Sequence, residues 1–245
     1  MNPPKFLLQS GNVMVNEKFA CACTDYDYIH TSYEYLDCLN IDKYKTNYVP
    51  VGSVEFITEY CDHVGLKLPE TISYYGVEKF IKRRVREGKL KDASQDEFVK
   101  PKKVKLFTGD IKKYLRPLSP ETEVWISEPV PFESEFRFYI QDLVSGPKIL
   151  GWARYDDKDS YNPDPDLNYV KSIAQELHDN LGPSAYTIDI GWRSDLNEYD
   201  LVELNDAWAL GLYTNSDSQT NSLSKQDYAE MLISRWRQIL FCNIV

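Results

Sequence analysis

The sequence of 245 residues predicts an α+β protein built mainly from antiparallel sheet, and three observations carry that prediction. The stretches Tyr186–Trp192 and Tyr199–Asn205 alternate side chains around the turn-forming Ser194-Asp195-Leu196-Asn197, as the strands of a hairpin do. A second pair, Glu133–Ile140 and Lys148–Tyr155, alternates around Ser145-Gly146-Pro147. Helical spacing occurs in separate stretches, without a Walker-type glycine loop, a Rossmann fingerprint or an internal repeat.

Composition narrows the class. A hydrophobic fraction of 42% with 13% aromatics is enough to build a core and argues against disorder. No apolar run reaches bilayer-spanning length, and the start Met1-Asn2-Pro3-Pro4-Lys5 does not resemble a signal peptide. Cys21, Cys23, Cys38, Cys61 and Cys242 are odd in number and lack metal-type spacing, so they read as reduced thiols of a cytoplasmic protein. His30, His63 and His178 are too scattered for a histidine-based zinc site or a Ser-His-Asp arrangement. The net charge of −10 argues against a general nucleic-acid binder. It is unevenly spread: Lys79 to Lys113 holds 13 Lys/Arg against 5 Asp/Glu. Such a segment fits either a local polyanion site or a solvated basic surface.

The elements follow in order. Lys5–Gln9 reads as a first strand, and the tyrosines from Tyr26 to Tyr48 fit a core edge or an interface. Ser53 is a good N-cap for a helix whose apolar residues run Val54, Phe56, Ile57, Tyr60, Cys61 and Val64, with Gly65 as its stop. A second helix is expected from about Gly76 to Glu87, with Arg84 inside its apolar stripe and Lys82 and Arg83 outside it. Glu97–Pro101 and Val104–Gly109 read as short strands joined by a lysine-rich turn, and Glu123–Val130 as another strand. On Glu133–Ile140, Glu133, Glu135, Arg137 and Tyr139 share one face and Phe136, Phe138 and Ile140 the other. Arg154 shares a face with Leu150 and Trp152, which suits a guanidinium meeting an anion. An acidic loop from Asp156 to Asp166, a helix bearing Val170, Ile173, Ala174 and Leu177, and a final amphipathic helix from Lys225 to Ile239 complete the chain.

In the 186–205 hairpin, Leu201, Glu203 and Asn205 are expected on one face and Val202 and Leu204 on the core face. Pairing Trp192 with Asp200 places Asp189 opposite Glu203. Asp189, Glu203 and Asn205 then form the all-oxygen, net-negative set that hard cations such as Mg²⁺ take, which is also what a half-exposed hairpin carries.

Together these motifs resemble the ATP-grasp superfamily of carboxylate–amine ligases over roughly residues 50 to 215. The matching parts are Val99-Lys100-Pro101, the hinge Ile126-Ser127-Glu128-Pro129, Glu135-Phe136-Arg137, a mid-strand Asp189 and Glu203-Leu204-Asn205. The form most similar is a small divergent group of phages and bacteria, matched by Gly52-Ser53-Val54-Glu55-Phe56 and by Lys105 to Gly109.

The resemblance implies an α+β fold of two lobes clamping a nucleotide, with a short N-terminal α/β segment. Residues 1–65 would contribute to substrate binding or an interface, 66–130 would form the lid lobe, and 131–245 the core lobe with the metal site. It implies ATP and one or two Mg²⁺ ions, with Mn²⁺ as a substitute. Lys100, with Lys105 and Arg84, would meet the phosphates, Glu128 the adenine edge, and Glu133 or Glu135 the ribose. Asp189, Glu203 and Asn205 would hold the metal, while Arg137 and Arg154 would stabilise the acyl phosphate and the tetrahedral intermediate. The implied reaction joins a carboxylate to an amine of an amino acid, peptide or protein terminus, releasing ADP and phosphate. No membrane or nucleic-acid partner is implied, and a homodimer is compatible. The alternatives are a degenerate module that binds nucleotide or a partner, and a nucleic-acid-associated enzyme using the basic segment. Two departures stand out: Arg84 must replace a second phosphate lysine, and Pro101-Lys102-Lys103 stands where a glycine-rich lid loop is usual.

Overall fold

In a computed structural model the described residues are 4–38, 47–69, 72–74, 76–103, 106–156, 164–213 and 223–243; the side chains of Asp37 and Cys38 are not among them. Three sheets follow one another along the chain. In the first, β1 (Lys5–Gln9) lies between β2 (Tyr28–Thr31) and β3 (Tyr48–Val51), all parallel. Parallel neighbours need crossovers, and α1 (Val15–Ala22) lies between β1 and β2. Helix α2 (Val54–Val64) follows β3; Ser53 caps it by accepting from Phe56 N, and Gly65 ends it in the left-handed region.

The second sheet is antiparallel, in the order β4 (Val85–Lys89), β7 (Glu123–Ser127), β5 (Phe98–Pro101), β6 (Asp110–Ile111). Two expectations fail here. The helix expected from Gly76 to Glu87 is a single 3-10 turn at Glu78–Phe80 followed by β4. Pairing with β7 overrides the helical spacing, and β4 is an edge strand whose mostly exposed side chains carry no strand alternation. The strand expected at Val104–Gly109 is also displaced. Val104 and Lys105 lie outside the described residues, Leu106–Gly109 is irregular, and the strand is Asp110–Ile111. A Cβ on Gly109 would stand 2.8 Å from the Phe98 ring, so glycine lets the chain approach β5 there. The basic segment is largely neutralised locally, by pairs such as Arg86–Glu97, Lys89–Glu121, Lys102–Glu87 and Lys113–Asp96. These pairs are solvent-exposed, whereas Arg83 and Lys100 of the same segment are turned inward.

The third sheet is antiparallel, in the order β11 (Glu198–Asp206), β10 (Ala185–Arg193), β8 (Glu135–Leu143), β9 (Gly146–Arg154). Both its faces are covered. Phe138, Ile140, Ile188 and Leu204 pack with Val170, Ile173 and Leu177 of α3 (Leu167–Asp179). Tyr139 and Ala185 pack into a core shared by β1, α2 and α4 (Lys225–Cys242). The first and last parts of the chain therefore build one core together. The core of the second sheet is much smaller, centred on Val99, Val124 and Ile126.

A buried ionic hub ties the approach to β4 onto this sheet. Asp200, fully buried on β11, accepts from Lys82 N at 2.8 Å and from Arg83 Nη1 at 3.0 Å. Arg83 also donates to Leu201 O at 2.6 Å and Val202 O at 2.8 Å. Removing Asp200 leaves a buried guanidinium without its counter-charge. Asp200→Ala is expected to lower unfolding free energy by about 3–5 kcal/mol in urea titration. A loss near zero would show that the hub contributes nothing.

Candidate functional site

Two cavities meet between the second and third sheets, and Lys100 and Glu203 line both. The smaller, of about 360 Å³, has apolar walls from Phe98 and Ile111 on one side and Phe132 and Val202 on the other, with Glu128 and Glu135 among its lining residues. The larger, of about 580 Å³, is lined by Val54 and Glu55 of α2, Thr108 and Gly109, and by Arg137, Asn205, Trp208 and Tyr213. A cavity with apolar walls joined to one holding Arg137, Asn205 and the Lys100–Glu203 pair suits a ligand with an apolar ring at one end and charged groups at the other.

The register of β10 and β11 builds the junction. Trp192 pairs with Tyr199, not with Asp200, yet Asp189 still faces Glu203, because a bulge between Asp189 and Ile190 shifts the register by one. The bulge also corrects the faces: Leu201 and Leu204 enter the core, whereas Val202, expected there, lines the smaller cavity. A Cβ on Gly191 would overlap the Phe132 ring, so glycine lets that ring lie against the sheet.

The polar groups interlock. Lys100 Nζ donates to Glu203 Oε2, and Asn205 Nδ2 donates to Glu203 Oε1 at 2.9 Å and to Asp189 Oδ2 at 3.1 Å. Arg137 binds Asp189 bidentately, Nε to Oδ1 at 2.9 Å and Nη2 to Oδ2 at 2.7 Å. The Arg137 guanidinium also lies 4.9 Å from the centre of the Tyr213 ring and 5.5 Å from that of Tyr155. Burial opposes ionisation of Glu203, but Lys100 and the Asn205 hydrogen bond outweigh it and hold its pKa down at about 2. Burial raises the pKa of Asp189, against the pull of Arg137. A depressed carboxylate stabilises the fold above its unfolded pKa and loses that contribution as pH falls through the folded value. The Glu203 contribution is therefore complete above about pH 4.5 and disappears toward pH 2. Acid titration should show this loss in the native sequence and not in Glu203→Gln.

The other expected residues divide. Glu135 lines the smaller cavity and accepts from Tyr155 OH at 2.8 Å, whereas Glu133 lines neither cavity. Glu128 accepts from Arg84 N at 3.0 Å, joining the two linkers into the second sheet. The Arg84 side chain, expected inside an apolar stripe, is 91% exposed beside Glu128, and the buried guanidinium belongs to Arg83. Arg154 lines neither cavity and is paired bidentately with Asp156 at 2.7 and 2.8 Å. Because Asp156 also accepts from Glu135 N, Arg154 braces β8. Lys105 lies outside the described residues. Tyr26, Tyr28 and Tyr35 line neither cavity; among the aromatics that do, Tyr213, Trp208 and Phe132 carry no sequence expectation. The signal was the polar-poor run Ala207–Leu212, too apolar for a surface loop directly after a strand.

The donor chemistry suits a hard cation. Lys100 and Asn205 place an ammonium and an amide N–H on Glu203, where a cation would otherwise sit. Oδ1 of Asp189 accepts one hydrogen bond and keeps a lone pair, whereas Oδ2 accepts from both Arg137 and Asn205; rotating the Asn205 amide frees a lone pair on Oδ2 and presents the amide oxygen. Among the described residues no group of three or more His, Cys, Asp or Glu is placed to hold a metal; the set here is two carboxylates and an amide. Such a set leaves coordination positions for phosphate and water, as Mg²⁺ requires.

Two antiparallel sheets facing each other across this junction are the arrangement of the ATP-grasp class, and solved structures of that class match it over nearly their whole length. The D-alanine–D-alanine ligase of Coxiella burnetii matches with a TM-score of 0.56 at 8% identity, covering 99% of this chain and 98% of that one. The Bacillus anthracis enzyme complexed with ATP matches with a TM-score of 0.53 at 12% identity, covering 100% and 99%. D-alanyl-alanine synthetase A of Vibrio cholerae matches with a TM-score of 0.51 at 12% identity, over the same shares. At such identities the likeness shows the fold. The family model for the ATP-grasp domain, family 2 of the R-2K clade, matches residues 80–223, more than half of the chain, which therefore belongs to that family. No curated protein matches it. No helix among the described residues is long and apolar enough to cross a membrane.

Proposed function

We propose that the chain is an ATP-dependent ligase that joins a carboxylate to an amine of an amino acid, peptide or protein terminus through an acyl phosphate. The observation that carries this reading is the Lys100–Glu203 ion pair where the apolar-walled cavity meets the chamber that holds Arg137. The adenine ring occupies the smaller cavity between Phe98 and Val202, near the Glu128 hinge, and Glu135 is the carboxylate that meets the ribose. Lys100 leaves Glu203 for the phosphates. Asp189, Glu203 and Asn205 would hold Mg²⁺, which would supply charge neutralisation at the phosphates.

Arg137 is the catalytic cation of the chamber. Asp189 occupies Nε and Nη2 and fixes the plane of the guanidinium, which leaves Nη1 as the donor for the oxyanion that develops on the acyl oxygen. The carboxylate takes the γ-phosphoryl group of ATP and ADP leaves; amine attack on the acyl phosphate then forms the C–N bond, breaks the C–O bond to phosphate and releases phosphate and the amine proton. Calorimetric titration with a non-hydrolysable ATP analogue and Mg²⁺ tests the reading, followed by phosphate release across amino-acid and peptide acceptors. Failure of the analogue to bind overturns it.

A further inference from the structure

We infer that Lys100 is an internal counter-ion that keeps a divalent metal out of the Asp189, Glu203 and Asn205 set until nucleotide phosphates draw it away. This rests on the ligase reading and adds a control built into the same site: the phosphates, and not the metal, open it.

Each carboxylate of the set is matched by a cation of the chain. Lys100 Nζ donates to Glu203 Oε2, and Arg137 holds Asp189 through Nε at 2.9 Å and Nη2 at 2.7 Å. Asn205 presents its amide N–H groups, and not its oxygen, to the two carboxylates, at 2.9 and 3.1 Å. Two cations against two carboxylates leave the group without net charge, whereas a hard dication is drawn to a site by the charge of its ligands.

The two matched pairs differ in what they can release. Arg137 and Asp189 stand at paired positions of β8 and β10 in one sheet, joined by two hydrogen bonds. Lys100 reaches the set from the facing sheet, on β5, through one hydrogen bond to Glu203, and both residues line both cavities. An ammonium on a flexible four-carbon stem can pass from a carboxylate to a phosphate with its charge matched throughout.

The ligand that triggers this exchange follows from burial. The side chains of Lys100 and Glu203 are 19% and 23% exposed, so parting them without a replacement anion strands a largely buried ammonium. A metal ion offers Lys100 no anion, repels it, and gives up its own hydration reluctantly. A triphosphate offers the anion and brings further ligands for the metal. Exchange is therefore favourable with nucleotide and unfavourable with metal alone.

The first test is made on the full-length wild type. Mn²⁺, followed by the paramagnetic resonance of the free ion, is expected to show no tight site without nucleotide. Calorimetry of the non-hydrolysable ATP analogue in EDTA is expected to show binding, weaker than with Mg²⁺. A tight Mn²⁺ site in the nucleotide-free wild type, or an analogue that binds with Mg²⁺ and not in EDTA, overturns the inference whether or not any variant folds. The second test removes the counter-ion. Lys100→Met and the milder Lys100→Gln, which keeps a donor for Glu203, should each bind one Mn²⁺ per chain about tenfold or more tighter than the wild type. Adding Glu203→Gln to Lys100→Gln should abolish the gained site, which separates it from diffuse binding to a chain of net charge −10. Folded Lys100 variants that gain no Mn²⁺ site also overturn the inference. If the analogue fails to bind even with Mg²⁺, the ligase reading itself has failed; if it binds and the free protein takes Mn²⁺ tightly, this inference alone has failed.

Discussion

Glu203→Gln is expected to abolish magnesium-dependent binding of a non-hydrolysable ATP analogue while the protein remains folded. The substitution keeps the size of the side chain and an acceptor for Asn205, which donates to Oε1 at 2.9 Å. What it removes is the charge shared between the two cavities. In the free protein that charge is balanced by Lys100, whose own pKa is pushed down by burial and more than restored by Glu203, so that it lies above the ordinary value. With a neutral amide, the metal loses an anionic ligand and Lys100 loses its resting partner. Removing one carboxylate from a hard-cation site with only two strips half its formal charge, and Mg²⁺ binds such sites through one or two carboxylates plus phosphates. Calorimetry with and without Mg²⁺ separates the effects. A Glu203→Gln protein that still binds the analogue with the same magnesium dependence would remove Glu203 from the metal site.

Arg137→Lys is expected to reduce phosphate release, in the presence of the acceptor amino acid, by about 10²–10³-fold, the loss typical of a preorganised charge at a developing oxyanion. Nucleotide affinity should change little, because Arg137 lines the larger cavity and not the smaller one. Lysine keeps a positive charge near Asp189 but cannot bind it bidentately while presenting a further donor to the chamber. Arg137→Ala is the harsher variant. It leaves Asp189 fully buried without its counter-ion and is expected to cost about 3–5 kcal/mol of stability, so its activity would confound catalysis with folding. If Arg137→Lys turns over at the native rate, Arg137 is a structural partner of Asp189 and nothing more.

The motif order legible in the sequence ran from Lys100 through Glu128 and Arg137 to Asp189, Glu203 and Asn205, and the matched family model covers each of them. The structure brings Lys100, Arg137, Asp189, Glu203 and Asn205 into one interlocked group, although Lys100 and Glu203 stand 103 residues apart. Arg84 and Arg154 are the instructive exceptions. Both were singled out because a charge on an apolar face seemed to need an anion. Arg84 stands just before an edge strand, beside Glu128, and Arg154 finds its anion two residues along the chain, in Asp156.

What the sequence by itself determined is the local pattern. Alternation sets strands β8 to β11, because side chains on neighbouring residues must leave opposite faces of a pleated sheet. The Ser53 cap and the Gly65 stop bound α2 for equally local reasons, an orphan N–H to satisfy and a left-handed turn to make. What only the tertiary structure decided is everything that depends on a partner distant in sequence. Strand β4 exists because β7 supplies its hydrogen bonds, against a helical pattern in its own residues. The bulge after Asp189 exchanges Val202 for Leu201 in the core, since one added residue reverses which side chains face inward. Trp208 and Tyr213 reach the chamber because Tyr139, Tyr228 and Glu17, from three other elements, fix the backbone around them. Hydrogen bonds across such separations leave no period in the sequence, so only the folded chain shows them.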